Sequence, residues 1–176
     1  MNLIVFAPQW LAAVVVAALL AAAIEDVARL RISNITVLVV LAGAIAAMAF
    51  GGFHGQLWQN ALVFPAVLLL GTFAFARNWL GGGDVKLLAA TSLWVGFDAA
   101  PWLLAGVFLA GGVVAILYII VRKARGKKRN EANRIPYGVA IAAGALFFLG
   151  SQYANKSDEG HLRPLPTIKG VNLPHQ

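Results

Sequence analysis

Six apolar stretches, separated by short polar breaks, leave this chain of 176 residues few folds to adopt. A helix needs about 20 apolar residues, or roughly 17–25, to cross the hydrocarbon core of a bilayer. Leu3–Ile24, Leu57–Ala76 and Ala99–Val121 reach that length, and Ile35–Phe50 and Ile135–Gly150 approach it with their flanks. The remaining stretch, Leu87–Phe97, is too short to cross alone. Beginning it at Asp84 adds a turn and brings an acid down to membrane depth. The expected fold is an all-α polytopic membrane protein of about six transmembrane helices, the fourth short or broken after a glycine-rich turn. Composition agrees, with 60% hydrophobic and 12% charged residues against about 25% charged in an ordinary soluble domain. Residues 1–150 read as one membrane-embedded domain. Ser151–Gln176 is polar, contains three prolines, and reads as a loosely ordered tail.

The net charge of +7 does not point to nucleic acid, because seven of the fourteen Lys and Arg crowd into Arg122–Arg134. Between apolar segments such a run is a topology signal and a lipid-side anchor. The loops Asp26–Asn34 and Arg77–Lys86 are also basic, whereas Gly51–Gln56 and the turn at Asp98 carry no cation. The positive-inside rule places the three basic loops in the cytoplasm and both termini outside. The apolar N-terminus has no Lys or Arg before it, so Leu3–Ile24 is expected to be a retained span rather than a cleaved signal. Two crossings separate Asp26 from Asp84. Both acids are therefore expected at the same, cytoplasmic, boundary.

Ionisable residues in membrane segments are costly and mark function by default. Two carboxylates close together cannot easily both be ionised, so such a pair shares a proton. One then serves as general base on a water while the other donates to a peptide carbonyl oxygen, with neither metal nor cofactor. The chain has no cysteine, which excludes disulfides, thiolate metal sites and a Cys nucleophile. His54, His161 and His175 lie in the outer loop or the tail and form no metal-ligand pattern. Plainer readings stand beside this one. Asp26 fits an interfacial acid paired with Arg29 or Arg31, Asp84 fits a helix N-cap, and Glu25 is a neighbouring carboxylate on a different face. Asp98 falls on the opposite side and reads as an N-cap before Pro101. At Asp84 the helix dipole and Lys86 favour the charged form while desolvation opposes it, so base and acid stay unassigned. Gly81–Gly83 permit backbone conformations that other residues disfavour and read as a helix break, in preference to a small-residue surface for close helix packing, whose small residues are spaced four apart. Irregular backbone at that depth is tolerated only within protein or beside a watery cavity.

Gly81-Gly82-Gly83-Asp84 followed by Val85-Lys86-Leu87, Asp26 followed by "RISN" at Arg31–Asn34, and "IPYGVAIAAG" from Ile135 occur in one order. Together they resemble the type IV prepilin peptidases, intramembrane aspartic proteases with a G-x-G-D motif. The resemblance runs from about Ile24 to Gly150 and implies that Asp26 and Asp84 are the catalytic pair. It implies supporting or substrate-lining roles for Gly81, Gly83, Lys86, Pro136, Tyr137 and Gly138. The implied activity is removal of the short basic leader of a pilin-like precursor at the cytoplasmic face of the inner membrane. Ser33 stands where the family usually has proline, which implies a less rigid turn. Longer members carry a methylating domain with paired cysteines. Their absence resembles the peptidase-only branch serving tight-adherence (Flp-type) pili and the archaeal preflagellin peptidases, for which no N-methylation is expected. A small proton- or cation-coupled transporter using the same two aspartates is the alternative. No inverted repeat supports it, and both acids sit at a boundary rather than the midplane. A non-catalytic assembly factor, with structural acids, is a third reading.

Overall fold

The computed structural model describes residues 2–52, 55, 57–124 and 137–161. Seven helices follow one another: α1 (Leu3–Phe6), α2 (Gln9–Arg29), α3 (Asn34–Gly51), α4 (Leu57–Ala76), α5 (Gly82–Ser92), α6 (Ala100–Ala124) and α7 (Tyr137–His161). No strand occurs among the described residues. Helices α2, α3 and α4, and α6 over Ala100–Val121, are long and apolar enough to cross a membrane, and α7 carries a shorter apolar stretch over Tyr137–Gln152. The chain is an all-α polytopic membrane protein. Most of the basic segment Arg122–Arg134, together with Pro136, His54 and the chain beyond His161, lies outside the described residues.

The first expected span is divided. Pro8 has no N–H to offer a helix interior, and the long helix starts just after it at Gln9. Leu3 and Ile4 in α1 are buried, and the Leu3 N–H donates to the Trp94 carbonyl at 2.9 Å. The long helix runs past Ile24 to Arg29, so Asp26 sits in its last turn rather than in a loop. At the other end α7 passes Gly150 and continues to His161, so its last eleven residues come from the segment expected to be a loose tail. Gln, Ala, Lys and Glu are adequate helix formers, and no proline occurs between Pro136 and Pro164.

The short helix α5 is the centre of the bundle. Its eleven residues rise only about 16 Å, roughly half a bilayer core, and from Leu87 to Ser92 every one is buried. Helices α3, α4 and α7 pack around it. Side chains satisfy the carbonyls at its end, as buried helix termini require: Asn60 of α4 donates to the Leu93 carbonyl at 3.0 Å. Just beyond, buried Trp94 donates its indole N–H to the Val40 carbonyl of α3 at 3.1 Å. The glycines before α5 do not use unusual backbone. Gly81 has φ −76°, and among the described glycines only Gly52 has a positive φ. Their use is close approach, described below.

Helix α6 rests on α7 through Gly144. A Cβ there would lie 2.6 Å from the Val107 Cα and N, and backbone cannot give way as a side-chain tip can. Gly144→Ala is therefore expected to destabilise the bundle by about 1–3 kcal/mol, the range for overpacking. Gly112→Ala, where a Cβ meets nothing within 4 Å, is expected to cost no stability and to add up to about 1 kcal/mol, the helix preference of Ala over Gly. Thermal melts of the two variants in the same lipid check the contrast.

Candidate functional site

One end of the bundle gathers the last turns of α2 and α4 with the first turns of α5 and α7. Asp26 lies four residues before the α2 C-cap, Leu30, whose N–H bonds back to the Asp26 carbonyl at 2.9 Å. Leu30 takes a left-handed conformation, φ 52° and ψ 34°, a position usually given to glycine or asparagine. The Asp26 carboxylate is 4% exposed and meets the start of α7. Gly138 donates its backbone N–H to Asp26 Oδ2 at 2.6 Å, and the Val139 N–H is directed at the same group. A helix start offers unpaired N–H groups and a positive dipole end, so it suits an anion. Asp26 thus takes its partners from α7 rather than from Arg29 or Arg31, which are both exposed.

Asp84 is the third residue of α5 and is 8% exposed. Its Oδ2 accepts the N–H of Gly81, the N-cap residue, at 3.1 Å, so the side chain reaches back as the acid of a capping box does. The capping reading of Asp84 is therefore correct locally. It does not remove Asp84 from the site, because Asp26 and Asp84 line one cavity of about 550 Å³. They lie near enough for the charge of one to act on the other. Leu30, Phe75, Asn78, Trp79, Leu80 and Tyr137 complete most of its wall, so the two acids share it with aromatic and aliphatic side chains and with polar groups.

The motif glycines make room for the two carboxylates and for Ile32. A Cβ on Gly81 would lie 2.7 Å from Asp84 Oδ2, and one on Gly138 would lie 2.9 Å from Asp26 Oδ2. A Cβ on Gly83 would lie 3.2 Å from the Ile32 Cβ. Lys86 is elsewhere: its Nζ donates to Asn34 Oδ1 at 3.1 Å, tying α5 to the start of α3. The expected pull of Lys86 on Asp84 has no hydrogen bond or ion pair behind it among the described residues. Tyr137 lines the cavity, while Pro136 lies outside the described residues. Glu25 is turned to the α2–α3 connection, and exposed Asp98 lies at the other end, in the turn before α6. Among the described residues no three His, Asp or Glu side chains converge as a metal site would need.

Sequence reasoning did not single out Leu30, Phe75, Asn78, Trp79 or Leu80. A signal was present in "FAFARNWLGGGD": an Asn and a Trp immediately before a glycine run are turn and rim residues. Asn78 has φ 58°, a left-handed conformation that Asn tolerates better than most residues. Arg77 then lies over the Phe73 ring at 4.7 Å, and Trp79 meets the same ring edge-on at 6.5 Å between centroids.

Residues 13–116, which include both aspartates, match the type IV leader peptidase family. A prepilin leader peptidase/N-methyltransferase of Burkholderia pseudomallei (strain 1026b) is 31% identical over 112 residues, covering 62% of this chain and 33% of that protein. A protein of the same description from Pectobacterium carotovorum subsp. carotovorum is 36% identical over 76 residues, covering 43% of this chain and 25% of its own. The chain thus spans a third or less of the length of these curated relatives. No solved structure matches it.

The glycine contacts predict an order of sensitivity. Gly138→Ala collides with both Asp26 and Ile32, Gly83→Ala crowds Ile32 alone, and Gly82→Ala makes an ordinary 3.5 Å contact with Phe75. Thermal stability is expected to fall most for the first, less for the second and within about 0.5 kcal/mol of unchanged for the third.

Proposed function

The chain belongs to the type IV leader peptidase family, and from that premise we infer that Asp26 and Asp84 are the catalytic pair of an aspartic endopeptidase. The observation that carries the inference is their burial on one cavity although 58 positions separate them in sequence. Their hydrogen bonds support a division of labour. Asp26 accepts the short Gly138 N–H bond at the first turn of α7, where the Val139 N–H is directed at the same group, an arrangement that favours an ionised carboxylate. Asp84 accepts one, from Gly81. In the proposed reaction Asp26 takes a proton from a water as its oxygen bonds to the scissile carbonyl carbon. Asp84 gives its proton to the carbonyl oxygen. The resulting diol collapses as its C–N bond breaks, the leaving nitrogen takes the proton held by Asp26, and a diol hydroxyl returns a proton to Asp84. No metal or cofactor enters the scheme.

The substrate we propose is a pilin-like precursor of the Flp type, cleaved between its leader and its hydrophobic helix. The relatives' description as prepilin leader peptidases supports this substrate class. The basic loops support an active end at the cytoplasmic face of the inner membrane. Apolar and aromatic walls from Leu30, Phe75, Trp79 and Tyr137 suit the residues flanking the cleaved bond. Cleavage without N-methylation is proposed for these residues, on their resemblance to the peptidase-only branch.

Cleavage of an Flp-type precursor by the chain in lipid is the test. Asp26→Asn and Asp84→Asn are each expected to lower the rate at least about 100-fold, the range for losing a general acid or base, with the melting temperature preserved. Full cleavage by either variant would remove that aspartate from the mechanism.

A further inference from the structure

Glu25 adjoins Asp26 on the last turn of α2, is partly buried, and has no part in the chemistry proposed above. Its Oε2 accepts the Ser33 N–H at 2.8 Å and the Thr36 hydroxyl at 3.1 Å. Ser33 in turn caps α3, its Oγ accepting the Thr36 N–H at 3.1 Å. One carboxylate therefore fastens the first turn of α3 to the last turn of α2 across a short connection. Proline at position 33 has no N–H to give, so this connection is held by hydrogen bonds rather than by a ring. Ser33 does not leave the turn slack.

The residue fixed beside Ser33 is Ile32, and its contacts give the clasp its significance. Ile32 packs against Gly83 closely enough that a Cβ there would lie 3.2 Å from its Cβ and 3.4 Å from its N. Its Cδ1 would lie 2.8 Å from a Cβ on Gly138. Gly83 immediately precedes Asp84, and Gly138 supplies the N–H that holds Asp26. Ile32 is thus wedged between the helix starts on which the two carboxylates depend.

We infer that Glu25 is a positioning residue: through Ser33 and Thr36 it fixes Ile32 as the spacer between Gly83 and Gly138, and so sets the separation of Asp26 and Asp84. The role needs an acceptor oxygen, not a titrating proton. Glu25→Gln keeps the acceptor, and Glu25→Leu removes it. The activity part of the inference rests on the peptidase reading; the clasp itself does not.

The test uses the full chain in lipid with two readouts, hydrogen exchange at the Ser33 amide and kcat and KM on an Flp-type precursor. Glu25→Leu is expected to speed Ser33 exchange and lower kcat, each by about tenfold or more, as loss of hydrogen bonds to a charged group implies. KM is expected to stay within about twofold, since the cavity wall is unchanged. Glu25→Gln is expected to restore both readouts. Ile32→Ala is expected to lower kcat while Ser33 exchange stays slow, because the clasp survives and the spacer is lost. Faster Ser33 exchange with unchanged kcat in Glu25→Leu would overturn the positioning role. So would a Glu25→Gln variant as impaired as Glu25→Leu. If the unmodified chain cleaved nothing, the peptidase reading would fall, and unchanged Ser33 exchange in Glu25→Leu would separately overturn the clasp.

Discussion

A carboxylate buried in a helical membrane bundle must find donors, and Asp26 finds them 112 positions away at the first turn of α7. The Gly138 N–H at 2.6 Å joins the second helix to the last, and the rest of the site is arranged around that bond. Desolvating an ion costs several kcal/mol, while hydrogen bonds to charged groups return about 1.5–3 kcal/mol each. The margin is small enough that α2 and α7 must meet with little error. Glycine at 138 allows this approach, because any side chain there would occupy the space of Asp26 and Ile32.

Asp84 is held by the same means on a second helix start. Helix α5 is too short to be a full span. The far end of α5 is then supported by Asn60, and the chain just beyond it by Trp94 and the backbone of Leu3. A short central helix held at both ends fixes the place of Asp84. The cavity it shares with Asp26 is walled by residues from α2, α4, α7 and the α4–α5 turn. Rigid elements that carry reacting groups, with loops forming the rim, are the usual division in a site that must hold its geometry.

The all-α membrane fold and the placing of Asp26 and Asp84 at one end of the bundle were legible in the sequence, since bilayer length and the parity of crossings follow from apolar runs alone; six helices were expected, and the structure has seven because the first apolar run is divided at Pro8. The role of the glycines was less so. Gly81–Gly83 have the look of a break, but their dihedrals are ordinary, and what makes them necessary is the distance to Asp84 and Ile32, a tertiary fact. Lys86 lies near Asp84 in sequence, yet its amine reaches Asn34 because helical neighbours two apart point differently. Ser33 reads as a weaker substitute for proline until its N–H is seen on Glu25. The extension of α7 to His161 was hidden by polarity, which marks the membrane boundary but not the end of a helix.

The central claim is that Asp26 and Asp84 face each other across one cavity. Because the chain contains no cysteine, Asp26→Cys and Asp84→Cys combined in one chain give a clean crosslinking pair. Treatment in lipid with a short bifunctional thiol reagent is predicted to link the two positions within a single chain, detected as one reagent bridging two peptides by mass spectrometry. Chains carrying two separate reagent molecules and no bridge would contradict the account.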